Sequence, residues 1–278
     1  LSIILNVEEL KKMQDRDGIE LVIIDVRTKD KQFNTGEEAY KHSHITGALF
    51  LDFKADLTGR DSFLPEPEKL AKKLGDVGIN NETPILFYDQ GNHRSASKAW
   101  VVMKYLGHER MYILEGGFSA WVDAGNEVTA TMPKLEETAK YRVNLQKELV
   151  VDVKGVKDSL GNETSVLIDS RAHERYTGEV EPTYKKAGHI PGALNYHSKQ
   201  VFEDHGIWKD KLDLETHFAS LKNKEELIVS CGSGNSACMN IVALKEAGFK
   251  NVKLYPGGFS EWIEDDNNEV ATGDQSLF

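Results

Sequence analysis

LEGGFSAW at 114–121 and YPGGFSEW at 255–262 are one phrase written twice in the same chain. The interval is 141 residues, and two further pairs keep the same order at nearly that interval. IIDVRT at 23–28 returns as LIDSRA at 167–172, 144 positions on, and HITGAL at 44–49 returns as HIPGAL at 189–194, 145 positions on. Three matches at almost constant spacing mark an internal duplication, and loop insertions account for the drift. The chain therefore reads as two copies of one domain, residues 1–127 and 149–278. A polar segment without clear periodicity, 128–148, is the expected linker.

Each copy alternates strand-like apolar runs with helical patterns. LVIIDV (21–26), ILFYD (85–89) and MYIL (111–114) read as buried strands of the first copy; SVLID (165–169), ELIVS (226–230) and NVKLY (251–255) are those of the second. SASKAWVVMKYLG (95–107) and SACMNIVALKEAG (236–248) read as matching helices, each stopped by Gly. Strands alternating with helices predict an α/β fold: in each copy a mainly parallel central sheet flanked by helices on both faces.

Composition narrows the function. The 278 residues are 40% hydrophobic and 28% charged, as in globular proteins. No apolar run is long enough to span a membrane, and LSIILNVEELKK (1–12) gains charge too early for a secretory signal. A formal net charge of −11 argues against nucleic acid or an anionic membrane as partner, so an anionic substrate needs a local positive field. Two cysteines make no disulfide framework and point to a reducing compartment, the cytoplasm by default. No Cys or His spacing matches a metal ligand set.

One of those cysteines lies in SCGSGNSAC (230–238), where strand ELIVS gives way to a helix. Ligand sites gather at the carboxyl ends of parallel strands. Gly232, Ser233, Gly234, Asn235, Ser236 and Ala237 are small or turn-tolerant, so their N–H groups can curl around the Cys231 sulfur beside a helix N-terminus. Such surroundings favour a nucleophilic thiolate. Aligning ILFYD with LIVSC places Asp89 opposite Cys231. One copy thus carries a nucleophile and the other a carboxylate, the pattern of an active domain paired with an inactive one.

With these residues in place the sequence resembles the tandem-domain rhodaneses, the thiosulfate and 3-mercaptopyruvate sulfurtransferases, over essentially its whole length. VKLYPGGFSEW (252–262) meets the family's C-terminal pattern. YKHSHITGALF (40–50) meets the N-terminal one, except that Thr46 stands where Pro is usual. Its second copy reads YKKAGHIPGALN (184–195), with one extra residue between Tyr184 and His189. SR at 170–171 and ER at 174–175 resemble the family's paired arginines, and an Asp such as Asp89 is usual in its inert domain.

The resemblance implies sulfur transfer by covalent catalysis. The Cys231 thiolate takes a sulfane sulfur from a small-molecule donor as a persulfide. It then yields that sulfur to cyanide or a thiol, a thioredoxin-like reductant among them. No cofactor and no metal are implied. CGSG is the form of the mercaptopyruvate enzymes, whereas the thiosulfate enzymes carry Arg and Lys after the cysteine. On that basis Ser233 and His44 are candidates for relaying a proton to the leaving enolate, and Arg175 for holding the donor carboxylate. Two features depart from the mercaptopyruvate form: Asn235-Ser236 replaces Val-Thr, and Thr183, with Lys185 and Lys186 nearby, stands where a second arginine is usual. Thiosulfate therefore stays open as donor.

Plainer roles stand beside these. His44 and its counterpart His189 can bond backbone at a tight turn; Arg27 and Arg171, at equivalent strand ends, suit a structural ion pair; Cys238, Trp121 and Trp262 suit core packing. Two rival functions are a phosphatase or arsenate reductase on the same fold and a persulfide carrier in a protein relay. The first needs an arginine to clamp phosphate, and six positions after Cys231 stands Ala237.

Overall fold

The computed structural model describes residues 2–17, 21–59, 63–135, 138–203 and 206–274. The chain divides into two compact units, Leu1–Gln146 and Lys147–Phe278. Among the described residues no helix is long and apolar enough to cross a membrane.

In the first unit the order is β1 (Ile4–Leu5), α1 (Val7–Asp17), β2 (Val22–Asp25), α2 (Gly36–His42), β3 (His44–Ile45), β4 (Leu49–Phe50), α3 (Pro67–Asp76), β5 (Ile85–Tyr88), α4 (Arg94–Tyr105), β6 (Met111–Leu114), α5 (Gly117–Asp123) and β7 (Val128–Thr129). Its sheet runs β1-β6-β5-β2-β4, every pairing parallel; β3 and β7 pair antiparallel beside it. The second unit follows with α6 (Val153–Ser159), β8 (Ser165–Asp169), α7 (His173–Thr177), β9 (Leu194–Asn195), α8 (Lys211–His217), β10 (Glu226–Ser230), α9 (Ala237–Glu246), β11 (Val252–Leu254) and α10 (Gly258–Trp262). Its sheet, β11-β10-β8-β9, is again all parallel. Both units are thus mainly parallel sheets flanked by helices, as expected from the alternating patterns.

Burial follows from that topology. All four side chains of β5 are buried, as are Leu227 to Ser230 of β10, because helices cover a parallel sheet on its faces. Every residue of α9 from Ala237 to Leu244 is buried. The polar exception within that run, Asn240, donates Nδ2–H to Ser170 Oγ (2.9 Å) and to the Tyr196 carbonyl (2.6 Å). Such a helix is apolar nearly all round and locks the loop before it to the sheet.

The duplication repeats down to single hydrogen bonds. Arg27 forks onto Asp25 (Nη2 to Oδ2, 2.7 Å) and lies 4.0 Å over the Phe118 ring. Arg171 forks onto Asp169 (2.6 Å) and lies 4.1 Å over Phe259. Trp121 and Trp262 donate their indole N–H groups to the carbonyls of Glu127 and Glu269, both at 2.9 Å. Tyr40 donates to the Ala48 carbonyl and stacks on His44; Tyr176 donates to the Ala193 carbonyl and stacks on His189. This last pair corrects the motif alignment. The structural counterpart of Tyr40 is Tyr176, and Tyr184 has another task.

The segment read as a linker, 128–148, falls largely within the first compact unit. Val128 and Thr129 form β7. Further on, Ala139, Asn144 and Gln146 donate N–H groups to the carbonyls of Gly75, Leu106 and Tyr105. Tyr141 is buried, its ring centroid 5.8 Å from that of His108 and the two ring planes nearly parallel. One large aromatic and a run of backbone bonds dock an extended strap that carries no periodic signal.

Candidate active site

The loop 231–237 leaves the carboxyl end of β10 and enters α9. Cys231 is 2% exposed. Two hydrogen bonds tie the loop to α10: Phe259 N–H to the Cys231 carbonyl (2.8 Å) and Ser260 N–H to the Gly232 carbonyl (2.9 Å). That proximity explains a glycine of the repeated phrase. Gly258 has φ +58°, and a β-carbon on it would stand 2.5 Å from the Cys231 carbonyl oxygen. Gly234 is likewise left-handed (φ +68°), and a side chain there would overlap the Pro256 carbonyl.

The first unit shows what such a loop is built to hold. Asp89 follows β5 as Cys231 follows β10, and Phe118 N–H reaches its carbonyl at 2.8 Å, just as Phe259 reaches that of Cys231. The fully buried Asp89 carboxylate accepts N–H from Gly91 (2.8 Å), His93 (3.1 Å) and Ala96 (3.2 Å), and O–H from Ser95 (3.2 Å). An anion at this position is cradled by peptide dipoles. In the second unit the loop lacks that built-in carboxylate. Among the described residues the N–H groups of 232–236 donate to no backbone carbonyl. Gly232, Gly234, Asn235, Ser236 and Ala237 follow Cys231 in the loop and carry no charge of their own. Ser233 Oγ accepts from Asn235 Nδ2 at 3.4 Å, and the buried Asn235 Oδ1 has no hydrogen-bond partner among the described residues.

Arg175, on α7, brings the nearby positive charge. Its Nη2 and Nε donate to Glu181 at 2.8 and 3.3 Å, and its side chain keeps 25% exposure. Glu181 is a buried hub that also accepts the N–H groups of Thr183 (2.8 Å) and Tyr184 (3.1 Å) and faces Arg171 Nη1 at 3.4 Å. Burial pushes its carboxyl up, but the Arg175 bond and these N–H groups together hold it below the ordinary glutamate value. Tyr184 then lies under the Arg175 guanidinium, 5.3 Å from carbon to ring centroid, with its ring edge to Phe259. Sequence reasoning missed both Glu181 and Tyr184. The signal for Tyr184 was present in YKKAGHIPGALN but was absorbed by its false match to Tyr40.

His44 belongs to the first unit. It is fully buried, with Nδ1 2.7 Å from the Tyr40 carbonyl and Nε2 3.2 Å from that of Thr131. Both ring nitrogens face backbone oxygen, an arrangement that favours the turn-bonding role. His189 repeats the Nδ1 bond, to the Tyr176 carbonyl at 2.8 Å. Arg27 and Arg171 hold buried carboxylates, and Cys238 lies fully buried on α9, donating S–H to the Gly234 carbonyl at 3.3 Å. Among the described residues no group of three His, Cys, Asp or Glu side chains is placed to hold a metal ion.

A rhodanese-like domain matches twice, over residues 6–124 and 152–265. The chain belongs to the rhodanese family. This rhodanese is 35% identical over 267 residues to a protein of Pseudomonas aeruginosa named a probable 3-mercaptopyruvate sulfurtransferase, covering 92% of this chain and 93% of the relative. It is 30% identical over 256 residues to a thiosulfate sulfurtransferase of Cricetulus griseus, covering 88% and 86%. Among solved structures, it superposes on an anaerobic ergothioneine biosynthesis enzyme of Chlorobium limicola with a TM-score of 0.84. That match has 24% identity and covers 98% of this chain and 71% of the other; it speaks to fold alone.

Proposed function

We propose that this rhodanese is a sulfurtransferase that carries a sulfane sulfur on Cys231 as a persulfide, with 3-mercaptopyruvate as preferred donor and a thiol or cyanide as acceptor. The observation that carries the reading is the Asp89 comparison: one loop design, holding a carboxylate in one unit and offered to a sulfur in the other. The thiolate attacks the donor sulfur, and the peptide N–H groups of 232–237 stabilise the resulting persulfide anion. The loop is uncharged and Arg175 is already engaged by Glu181, which suits a monoanionic carboxylate better than a dianion such as thiosulfate. The name of the P. aeruginosa relative supports the same donor. Neither cysteine forms a disulfide, in keeping with work in the reducing cytoplasm, where a thioredoxin-like reductant would be an acceptor.

The test is kcat/KM for 3-mercaptopyruvate and thiosulfate side by side, read as thiocyanate formed from cyanide. The value for mercaptopyruvate is expected to be the larger; thiosulfate preferred would reverse the donor assignment. If neither donor loads Cys231 but a protein persulfide does, the chain is a relay carrier instead. Roles within the site separate by kinetics. Arg175→Ala is expected to raise KM for mercaptopyruvate about tenfold with little change in kcat, because carboxylate holding is uniform binding. Ser233→Ala is expected to lower kcat about tenfold with a smaller change in KM, because proton transfer acts in the transition state. The opposite pattern would show the two roles exchanged.

A further inference from the structure

Tyr184 is a residue of the second unit alone. Tyr176 already does for the second unit what Tyr40 does for the first, bonding the Ala193 carbonyl and stacking on His189 at 3.8 Å. Tyr184 is instead turned onto the Cys231 loop. A β-carbon on Gly232, next to the nucleophile, would overlap the Tyr184 hydroxyl, so the glycine there makes room for a phenol. The ring is held from three sides: Arg175 lies over its face, Phe259 meets it edge to face, and its own N–H is anchored on Glu181. The same Glu181 oxygen, Oε1, takes Arg175 Nη2 and Tyr184 N–H, so one buried carboxylate sets the position of both. The hydroxyl interacts with Ser233 and Arg175 and lies in the field of Cys231. Burial first, and then a negative charge on Cys231, raise the Tyr184 pKa above that of an ordinary tyrosine, although Arg175 and Ser233 pull the other way. The phenol therefore keeps its proton at neutral pH.

We propose that Tyr184 is a further catalytic residue: the proton donor to the carbon fragment that departs from 3-mercaptopyruvate as its sulfur moves to Cys231. The proposal rests on the persulfide reading above and adds a chemical reason for the choice of donor. With mercaptopyruvate, Cys231–S⁻ and HS–CH2–CO–COO⁻ become Cys231–S–S⁻ and CH3–CO–COO⁻. A thiolate electron pair forms the S–S bond. The C–S pair leaves with the carbon, which is reduced while the transferred sulfur is oxidised to the sulfane level. Tyr184 gives its proton to the enolate and regains one, by way of Ser233, from the S–H that came in with the donor, so the proton count closes within the site. With thiosulfate, Cys231–S⁻ and S–SO3²⁻ become Cys231–S–S⁻ and SO3²⁻, and no proton moves. Cyanide taking sulfur from the persulfide also needs none. A proton-donating phenol thus serves one donor and one half-reaction only.

Tyr184→Phe keeps the ring and its contacts with Arg175 and Phe259 and removes the hydroxyl. On rapid mixing with 3-mercaptopyruvate, single-turnover pyruvate formation is expected to fall about a hundredfold, as loss of a general acid does. Thiocyanate formation from enzyme already loaded with sulfur should stay within about threefold of the unaltered protein. Pyruvate formation within about threefold of the unaltered protein would overturn the proposal, and so would an equal fall in both half-reactions, which marks a packing defect. An unaltered protein that loads from thiosulfate but not from mercaptopyruvate would overturn it too while leaving sulfur transfer intact. One that loads from neither would overturn the persulfide reading itself.

Discussion

Cys231→Ser is expected to lower thiocyanate formation at least about a thousandfold with either donor, whereas Cys238→Ser retains most of it. A serine hydroxyl of nearly the same size fits the loop, with its hydrogen bonds from Phe259 and Ser260 to the Cys231 and Gly232 carbonyls intact. What it lacks is a nucleophilic sulfur and the capacity to store a second one. Nothing else in the loop compensates, since Gly232, Ser233, Gly234, Asn235, Ser236 and Ala237 offer no second thiol. Cys238 faces the opposite demand: it is fully buried on α9, and its S–H donates to the Gly234 carbonyl. A serine there can make the same bond, so the cost is about 1 kcal/mol of stability rather than activity. Equal losses in the two variants would contradict the assignment of the nucleophile.

Arg27→Ala is expected to destabilise the first unit by about 3–5 kcal/mol, the cost of leaving a buried carboxylate without its cation. Asp25 is fully buried, and Arg27 supplies it with Nε (2.9 Å), Nη2 (2.7 Å) and a backbone N–H (2.9 Å), leaving Tyr88 Oη (2.6 Å) as another donor. The same guanidinium closes the turn before His44 by bonding the Ser43 carbonyl at 2.5 Å. Burial raises the folded pKa of Asp25 above its unfolded value, against the pull of Arg27 and Tyr88. A raised carboxyl contributes most stability at acid pH and loses that contribution as pH rises through the folded value. Removing Arg27 raises the folded value further, so the deficit should be widest at neutral pH and narrow on acidification. Urea unfolding at several pH values reads both effects; a deficit that grows toward acid pH would show that the pair is not what holds Asp25.

The duplication made most of this fold legible in the sequence. ELIVS and SACMNIVALKEAG are short, uniformly apolar or helix-periodic, and stopped by turn residues, so β10 (Glu226–Ser230) and α9 (Ala237–Glu246) end within a few residues of expectation. What the pattern could not carry were features fixed by distant contacts. β1 (Ile4–Leu5) is too short to show alternation and exists through its parallel pairing with β6. The strap over 138–146 is polar and aperiodic, held by backbone bonds and by one buried tyrosine. At the site, Cys231 announced itself through small neighbours at a strand end. Glu181 and Tyr184 did not, because a carboxylate in GEVEP and a tyrosine in YKK acquire meaning only when folding sets them beside Arg175 and Gly232. Repetition itself misled there, by offering Tyr184 as a partner for Tyr40.

The most direct measurement is the mass of Cys231 after contact with a donor. Protein incubated with 3-mercaptopyruvate, cleared of excess donor and fragmented without reductant should carry about 32 Da more on Cys231, one sulfur atom captured by a nucleophilic thiolate. Cyanide should remove that mass and appear as thiocyanate, with Cys238 unchanged throughout. A Cys231 that stays at its original mass while pyruvate or thiocyanate accumulates would contradict the account.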